Sequence, residues 1–466
     1  MEPVTPWKTL FGTDGIRGRA NVELTPELAL AVGRAAARVV LPRGGRVVIG
    51  RDTRVSGSML EAALIAGLTA CGAEVLVAGI VPTPAIAYLI RDERAALGVV
   101  VSASHNPPED NGIKLFDRWG MKLPERLEEA IAEEIKRAPR SDDLAVGSSR
   151  PLDAAASRYA AFLTGAMEIE DVDLTGMTIV LDCAHGATGG IAPRVLEHFN
   201  ARVIGLHVEP DGGRINDRCG VLDLGPLREA VAEHGADLGI AFDGDGDRIL
   251  VVTSEGDTID GDLILGIAAL HLHRAGRLDP ARIVATVLSN LGLERTLGSA
   301  GVAMERTPVG DRHVAEAMRR GGMKLGGEKS GHIIFGDHSP TGDGILTAVK
   351  LVEIAHETGR ALGDLAADVR LLPQEQSALP VADPGVFLGR EDVQRCIDRA
   401  RASLAADGRL LVRASGTQSL IRVMVEAETE ARCAETHREV SDCLAAIAAQ
   451  SAPEGDVDSR VGSSNG

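Results

Sequence analysis

Arg46-Val47-Val48-Ile49-Gly50 is the first of three short apolar runs that decide the fold. It is β-branched and shows no polar alternation, so it reads as a strand buried on both faces. A polar loop follows, then an apolar-periodic stretch from Ser58 to Cys71 that predicts a helix, then a second strand at Glu74 to Ile80. The pattern returns at Met177 to Asp182, with a helix around Ile191 to Phe199 and a strand at Arg202 to Val208. It returns again at Arg282 to Leu288, with a helix near Leu291 to Ser299 and a strand at Val302 to Pro308. Strand-helix-strand units of this kind predict parallel α/β structure, and three copies predict three similar α/β domains.

The chain changes character after Leu371. Pro373 and the stretch Pro380 to Pro384 read as a linker. A helix (Glu391 to Ala406), a strand (Arg409 to Arg413), a second strand (Leu420 to Glu426) and a helix (Glu430 to Ala448) then predict a small two-layer α+β domain. With a further break in the Pro/Asp/Ser-rich stretch Ala138 to Pro151, the expected domains are 1–150, 151–256, 257–370 and 371–450. Residues 451–466 are Gly/Ser/Asp-rich and are expected to fray as a flexible tail.

Composition narrows the function. The 466 residues carry a formal net charge of −18, with 44% hydrophobic and 25% charged residues. That is ordinary for a globular protein, and it disfavours disorder. So acidic a chain also disfavours partners that want a basic face, such as nucleic acid or an anionic membrane. Seven Phe, two Tyr and two Trp leave little for base-stacking platforms. The six cysteines include no C-x-x-C pair, which removes support for zinc ribbons and thioredoxin-like sites and fits a reducing compartment. The longest charge-free apolar stretch, Val75 to Ile90, is short for a bilayer and holds Pro82 and Pro84. The N-terminus shows no basic-then-apolar signal pattern, so a cytoplasmic location is expected.

Four loops could carry chemistry. Ser102-Ala103-Ser104-His105-Asn106-Pro107-Pro108 follows the apolar strand Gly98 to Val101 and presents a Ser where a nucleophile or phosphate acceptor could sit; a turn closed by Pro-Pro is the plainer reading. Lys114, ten residues on, could be a base or a surface charge. Asp243-Gly244-Asp245-Gly246-Asp247-Arg248 follows the apolar run Leu238 to Phe242. Its three carboxylates at alternate positions, with Gly between them, could form a solvated acidic turn, but they repel one another unless a hard cation joins them. A calcium-hand loop is excluded, because its sixth and twelfth positions are Arg248 and Ser254 rather than Gly and Glu. An oxygen-only set this small suits Mg²⁺. Gly326-Gly327-Glu328-Lys329-Ser330-Gly331-His332 offers hydrogen-bonding groups suited to sugar hydroxyls, or a hairpin turn. Arg413-Ala414-Ser415-Gly416-Thr417, with Arg422 beyond it, offers hydroxyls, Gly amides and two guanidinium groups for an anion, or again a hairpin turn. Dinucleotide, P-loop and H-E-x-x-H motifs are missing, and the one G-x-S-x-G falls in the tail at Gly462 to Gly466.

Taken together, these loops and the opening Phe11-Gly12-Thr13-Asp14-Gly15-Ile16-Arg17-Gly18 closely resemble the α-D-phosphohexomutase superfamily over residues 8–450. The opening motif, Val309-Gly310-Asp311-Arg312 and Ser330-Gly331-His332 look most like its bacterial branch that interconverts glucosamine 6-phosphate and glucosamine 1-phosphate. The resemblance implies three α/β domains with mixed, mostly parallel sheets and a smaller C-terminal α+β domain around one cleft. It implies that Ser104 carries a phosphoryl group, and that Asp243, Asp245 and Asp247 hold Mg²⁺ together with a phosphoserine oxygen. It gives Lys114 as the general base, Arg17 and Arg248 beside the transferring phosphoryl, His332 as an acid/base, and Glu328 and Ser330 as sugar ligands. Arg413, Ser415, Gly416, Thr417 and Arg422 are implied to hold the non-reacting phosphate. A hexose or hexosamine 1,6-bisphosphate is the implied intermediate and activator, a hexosamine phosphate the substrate and a homodimer the assembly. The superfamily's last loop usually continues Ser-Gly-Thr-Glu-Pro, whereas this chain has Gln418-Ser419. Phosphomannomutase or phosphoglucomutase activity, or a silent sugar-phosphate-binding protein, are the alternatives.

Overall fold

The computed structural model describes residues 10–12, 14–137, 146–169, 172–415 and 418–450, so the expected tail at 451–466 lies outside the described residues. The chain forms two compact units, one running to Ser289 and from Leu293 to Val369, the other comprising Asn290–Gly292 and the chain from Arg370 onward.

The first unit contains three sheets, each from one of the repeated segments. The first segment gives β1 (Ile16–Arg19), α1 (Pro26–Val40), β2 (Gly45–Arg51), α2 (Gly57–Thr69), β3 (Ala73–Ile80), α3 (Thr83–Asp92), β4 (Leu97–Val101), β5 (Asp110–Asp117), α4 (Glu125–Ile135) and β6 (Ser148–Pro151). Its sheet has the order β1-β5-β4-β2-β3-β6. All five residues of β4 are buried, which is why this strand reads as an unbroken apolar run. Helix α1 starts cleanly because Thr25 accepts the Leu28 N–H and Pro26 opens the first turn. Its Gly33 lies against α2, where a Cβ would fall 2.6 Å from the Leu64 carbonyl oxygen.

The second segment gives α5 (Ala155–Thr164), β7 (Thr178–Asp182), α6 (Ala192–Glu197), β8 (Arg202–Leu206), α7 (Gly225–His234), β9 (Leu238–Phe242), β10 (Ile249–Thr253) and β11 (Thr258–Ile259), in the order β11-β10-β9-β7-β8. The third gives α8 (Gly261–Arg274), β12 (Arg282–Thr286), α9 (Leu291–Ser299), β13 (Ala303–Thr307), α10 (Asp311–Gly321), β14 (Leu325–Gly327), β15 (Ile333–Phe335), α11 (Gly344–Thr358) and α12 (Leu362–Ala366), in the order β13-β12-β14-β15. In all three sheets the inner strands run parallel, and one strand then turns back antiparallel: β4 into β5, β9 into β10, β14 into β15. The Ser104, Asp243 and Glu328 loops are these three turns. The repeat therefore places one candidate loop per sheet at the same topological position, at the carboxyl end of a buried parallel strand.

The second unit has a three-stranded antiparallel sheet, β16 (Gln374–Pro380), β18 (Leu420–Ala427) and β17 (Gly408–Ala414), with α13 (Pro384–Leu388), α14 (Glu391–Leu404) and α15 (Glu430–Ala449). Val393, Ile397, Val423, Val425 and Leu444 belong to its core, making the expected two-layer α+β body. One sequence expectation is corrected here. The stretch from Gln374 to Pro380, between the prolines taken as a linker, is the edge strand β16, and Pro384 opens α13. An edge strand needs no continuous apolar run, and Pro380 ends it where a missing N–H is tolerated. Cys396 of α14 and Cys443 of α15 are joined in a disulfide across 47 residues, a pairing that spacing does not reveal. Among the described residues, no helix is long and apolar enough to cross a membrane.

One buried group in the first unit makes stability depend on pH. Asp343 caps α11 by accepting the Leu346 N–H at 2.9 Å and accepts the Tyr159 hydroxyl at 2.7 Å. Burial, which these hydrogen bonds only partly offset, pushes its carboxyl up from 3.8 to about 6. The folded chain therefore binds a proton over this window that the unfolded chain has released, so this group's stabilisation is lost as pH rises from about 4 to about 6. Two pH units correspond to roughly 3 kcal/mol. Asp343→Asn keeps the cap without the charge. Its melting temperature relative to the parent is expected to climb between pH 4 and pH 8, by the equivalent of about 2 kcal/mol. A gap independent of pH would contradict this.

Candidate active site

Ser104 sits just beyond β4 with φ near +52°, a left-handed conformation that costs a non-glycine residue about 1 kcal/mol or more. A buried brace holds it there. Arg54, 1% exposed, donates from Nη2 to the carbonyl oxygens of Ser104 (3.0 Å) and Asn106 (2.8 Å). From Nη1 it donates to the carbonyls of Asp110 (2.8 Å) and Pro107. Its Nε is anchored by Asp52 Oδ2 at 2.9 Å, which also accepts the Ser102 hydroxyl at 2.6 Å. Ser102 Oγ in turn accepts the Ser104 N–H at 2.9 Å. Asn216, from the second sheet's loops, donates to the same Ser104 carbonyl at 2.9 Å.

The Ser104 hydroxyl points out of this brace into the carboxylate loop. Its Oγ donates to Asp243 Oδ2 at 2.6 Å and lies 3.3 Å from His105 Nδ1. Burial, together with the Arg248 and Arg17 charges, pulls His105 down to about 4, so the ring is neutral at physiological pH. Asp243, Asp245 and Asp247 converge with one oxygen each within 4.8 Å of the others. Oδ1 of Asp245 and Oδ1 of Asp247 are buried without a hydrogen-bond partner. Burial and the charges of Asp247 and Asp245 push Asp243 well above the usual carboxylate range. Orphaned oxygens and mutual repulsion are what a hard cation would relieve, so the residues fit a divalent ion.

Lys114, on β5, reaches the same loop. Its ammonium lies 2.9 Å from Asp245 Oδ2, 3.4 Å from Asp247 Oδ2 and 3.4 Å from Asp14 Oδ2. Burial opposes its charge, but Asp14, Asp245 and Asp247 outweigh that and raise it well above the ordinary lysine value. In this arrangement Lys114 is a cation. Arg17 Nη1 donates to Asn106 Oδ1 at 2.9 Å and pairs with Asp14. Asp14 also pairs with Lys122, which bridges to Asp311 at 2.6 Å. Arg248 Nε lies 3.8 Å from Asp247 Oδ1.

The third sheet adds His332, 2% exposed, whose Nδ1 is 3.8 Å from Asp247 Oδ2. The Gly342 N–H donates to its Nε2 at 2.9 Å, which puts the proton of the neutral ring on Nδ1. Burial opposes a second proton, while Asp247, Asp311 and Glu328 favour it, and the balance raises the imidazole above its ordinary value. Glu328 accepts the Gly310 N–H at 3.0 Å, and exposed Ser330 lies beside it with Oγ 3.4 Å from Oε2. Ser104, Lys114, Arg17, Arg248, His332 and the three aspartates are thus linked in one polar cluster, with Glu328 and Ser330 on the same loop as His332.

In the second unit, Arg413 and Arg422 face each other in register on β17 and β18. Like charges opposed in this way destabilise a hairpin, and Arg413 Nε is buried without a partner. Burial and Arg422 lower the Arg413 guanidinium. An anion between the two would relieve all three conditions. The Ser415 N–H closes the hairpin onto the Leu420 carbonyl at 2.9 Å, while Gly416 and Thr417 lie outside the described residues.

Sequence reasoning passes over Arg54, Asp52, Asn216, Thr83 and Lys122. Thr83 opens α3 and donates its hydroxyl to Asp245 Oδ2 at 2.5 Å. The signal for Arg54 is the polar triplet Asp52-Thr53-Arg54 directly after β2, the end of a parallel strand where sites gather. Its fork of five donors matches a cluster of carbonyls that a lysine cannot serve. Arg54→Lys is expected to cut kcat on the order of 100-fold with KM within about threefold, the effect of misplacing a reacting atom rather than losing a substrate contact. A kcat within threefold of the parent in a folded variant would contradict that role.

Four family models match the chain: phosphoglucomutase/phosphomannomutase alpha/beta/alpha domain I at residues 8–141, domain II at 157–256, domain III at 260–371 and the C-terminal domain at 349–442. The chain is 47% identical over 443 residues to a phosphoglucosamine mutase of Saccharopolyspora erythraea, covering 94% of this chain and 99% of that one. Among solved structures it is similar to a phosphoglucomutase/phosphomannomutase family protein of Burkholderia thailandensis, with a TM-score of 0.78 and 27% identity over 93% of this chain and 97% of that one. The Aspergillus fumigatus N-acetylphosphoglucosamine mutase, solved with GlcNAc-6P and magnesium, shares the fold with a TM-score of 0.68 at 18% identity, over 94% of this chain and 96% of that one.

Proposed function

This chain belongs to the phosphoglucomutase/phosphomannomutase family, and from that premise we propose that it is an isomerase interconverting glucosamine 6-phosphate and glucosamine 1-phosphate. The choice of an amino sugar rests on the Saccharopolyspora relative. The observation that carries the chemistry is Ser104 Oγ, held 2.6 Å from Asp243 beside two carboxylate oxygens without partners.

In this reading Ser104 carries a phosphoryl group. The sugar's non-reacting phosphate binds Arg413, Ser415 and Arg422, with Gly416 and Thr417, and Glu328 and Ser330 accept and donate to its hydroxyls. A free sugar hydroxyl attacks phosphorus in line as the bond to Ser104 Oγ breaks. Its proton passes to Lys114, which can accept it only when Asp245 and Asp247 are engaged elsewhere, or to His332. Arg17 and Arg248 neutralise charge on the phosphoryl oxygens. The resulting 1,6-bisphosphate turns around, Ser104 Oγ attacks its other phosphate, and the proton returns to the departing sugar oxygen. Asp243, Asp245 and Asp247 would hold Mg²⁺, which when bound supplies charge neutralisation at the transferring group. Bisphosphate added from outside would also prime the serine, which makes it an activator. A homodimer is part of the proposal, and a light-scattering mass well above the chain's 48.7 kDa is its check.

The test of substrate class is a comparison of kcat/KM for the 6-phosphates of glucosamine, glucose and mannose. Glucosamine 6-phosphate is expected to lead, and a preference for glucose or mannose phosphate would overturn the assignment. The Gln418-Ser419 departure makes a further prediction. A Pro at 419 would restrict the empty loop, worth roughly 0.4–1 kcal/mol where the geometry allows. A factor of ten needs about 1.4 kcal/mol, so Gln418→Glu with Ser419→Pro is expected to change KM less than about tenfold. The native loop should release more bisphosphate per turnover than the double variant. Equal release would contradict this.

A further inference from the structure

A second cluster of ligand-type side chains lies in the middle sheet of the first unit. Asp182 ends β7, His207 follows β8, and Cys219 precedes a 3₁₀ turn at Gly220–Leu222. One carboxylate oxygen, one ring nitrogen and the sulfur all lie within 4.8 Å of one another. Asp182 is fully buried and Cys219 is 1% exposed, while the His207 side chain is 24% exposed and leaves a way in. Asp182 Oδ1 is 3.0 Å from His207 Nδ1 and accepts the Ala184 N–H at 2.9 Å; its Oδ2 accepts the Gly220 N–H at 2.9 Å. His185 stands alongside, its ring centroid 4.8 Å from that of His207 and its buried Nε2 without a hydrogen-bond partner.

We propose that Asp182, His207 and Cys219 bind one divalent transition-metal ion of the zinc class, which clamps the loops supporting Ser104 and the carboxylate loop. One thiolate, one imidazole and one carboxylate form the donor mixture that borderline-soft ions select, and three such donors leave a fourth tetrahedral position for water or for His185. The Asp243 loop offers only oxygen and suits a hard ion, so the two sites sort different metals. On binding, Cys219 Sγ–H releases one proton to solvent, and the single proton of the neutral His207 ring moves from Nδ1 to Nε2, which frees Nδ1 for the ion. Asp182 exchanges the His207 N–H for the ion and keeps its two backbone donors.

The loops joined by such an ion reach the active site in two places. The Ala187 N–H donates to the Gly244 carbonyl at 2.9 Å, inside the carboxylate loop. The Asn216 N–H donates to the Ala184 carbonyl at 3.1 Å, and the Asn216 side chain holds the Ser104 carbonyl at 2.9 Å. An ion here would fix Ala184 and Gly220 relative to each other and thereby the position of Asn216.

The test is a Co²⁺ titration of the full chain with Mg²⁺ present in excess. One Co²⁺ per chain is expected to develop a thiolate-to-cobalt charge-transfer band, which the all-oxygen site cannot give. Cys219→Ser is expected to lose the band and Asp243→Asn to keep it. Saturation without the band, or a band that persists in Cys219→Ser, would overturn the proposal. Should Cys219→Ser fail to fold, His207→Gln serves in its place. At least a tenfold weaker Co²⁺ affinity is then expected, and an unchanged affinity would leave the cluster an Asp–His hydrogen bond beside a buried thiol.

Discussion

Ser104→Ala is expected to lose mutase turnover by more than about 10³-fold, or about 4 kcal/mol in the barrier. The loss follows from the arrangement around that hydroxyl. Ser104 Oγ is the oxygen aimed at Asp243, and the left-handed backbone and the Arg54 brace exist to aim it. Neighbouring Ser102 cannot substitute, because its hydroxyl is committed to Asp52 and to the Ser104 N–H. His105 Nδ1 is close, at 3.3 Å, and neutral. Phosphoryl transfer through it would leave an acid-labile phosphohistidine, so the variant should be assayed for that linkage as well as for turnover. Activity within tenfold of the parent, with no phosphohistidine, would remove Ser104 from the mechanism.

Removal of the metal is expected to be the next largest effect. Exhaustive chelation should abolish measurable turnover, and Mg²⁺ should restore it. Asp245→Asn should weaken Mg²⁺ binding at least tenfold and lower kcat on the order of 100-fold, because it removes one charge of the proposed metal site and also one of the three carboxylates around Lys114. Asp245 Oδ2 is the acceptor for both Thr83 and the Lys114 ammonium, and Lys114 is buried. Losing one partner of a buried ion pair is costly in itself. Metal affinity and thermal stability must therefore be measured side by side. Stability lost without a change in Mg²⁺ affinity would mean that the triad is only the counter-charge of Lys114. An enzyme fully active after chelation would say the same.

How much of this can be read from the sequence follows from where each strand lies. Strands β2, β7 and β12 stand out because each is paired on both sides, so their residues form continuous apolar runs. Strand β16 is hidden because it is an edge strand whose residues alternate between half-buried and exposed. The loops at Ser104, Asp243 and Glu328 are conspicuous because Ser, Asp and Gly crowd at the ends of buried strands. Their equivalence as hairpin turns is not, since it depends on the antiparallel return of β5, β10 and β15. Arg54 and Asn216 act over separations of 50 and 112 residues, and Thr83 reaches Asp245 over 162, so no local pattern connects them. The charge state of Lys114 is equally non-local: it depends on Asp14, Asp245 and Asp247 meeting around one ammonium.

In the proposed cycle the phosphoryl group on Ser104 is the one given to the sugar. Single-turnover transfer tests it most directly. The enzyme is labelled with radioactive phosphate at Ser104, the label is located by peptide mapping, and unlabelled glucosamine 6-phosphate is added with Mg²⁺. Label is expected to leave Ser104 at least as fast as kcat and to be recovered first in glucosamine 1,6-bisphosphate, then in the monophosphates. Label that stays on Ser104 while glucosamine 1-phosphate forms would contradict it.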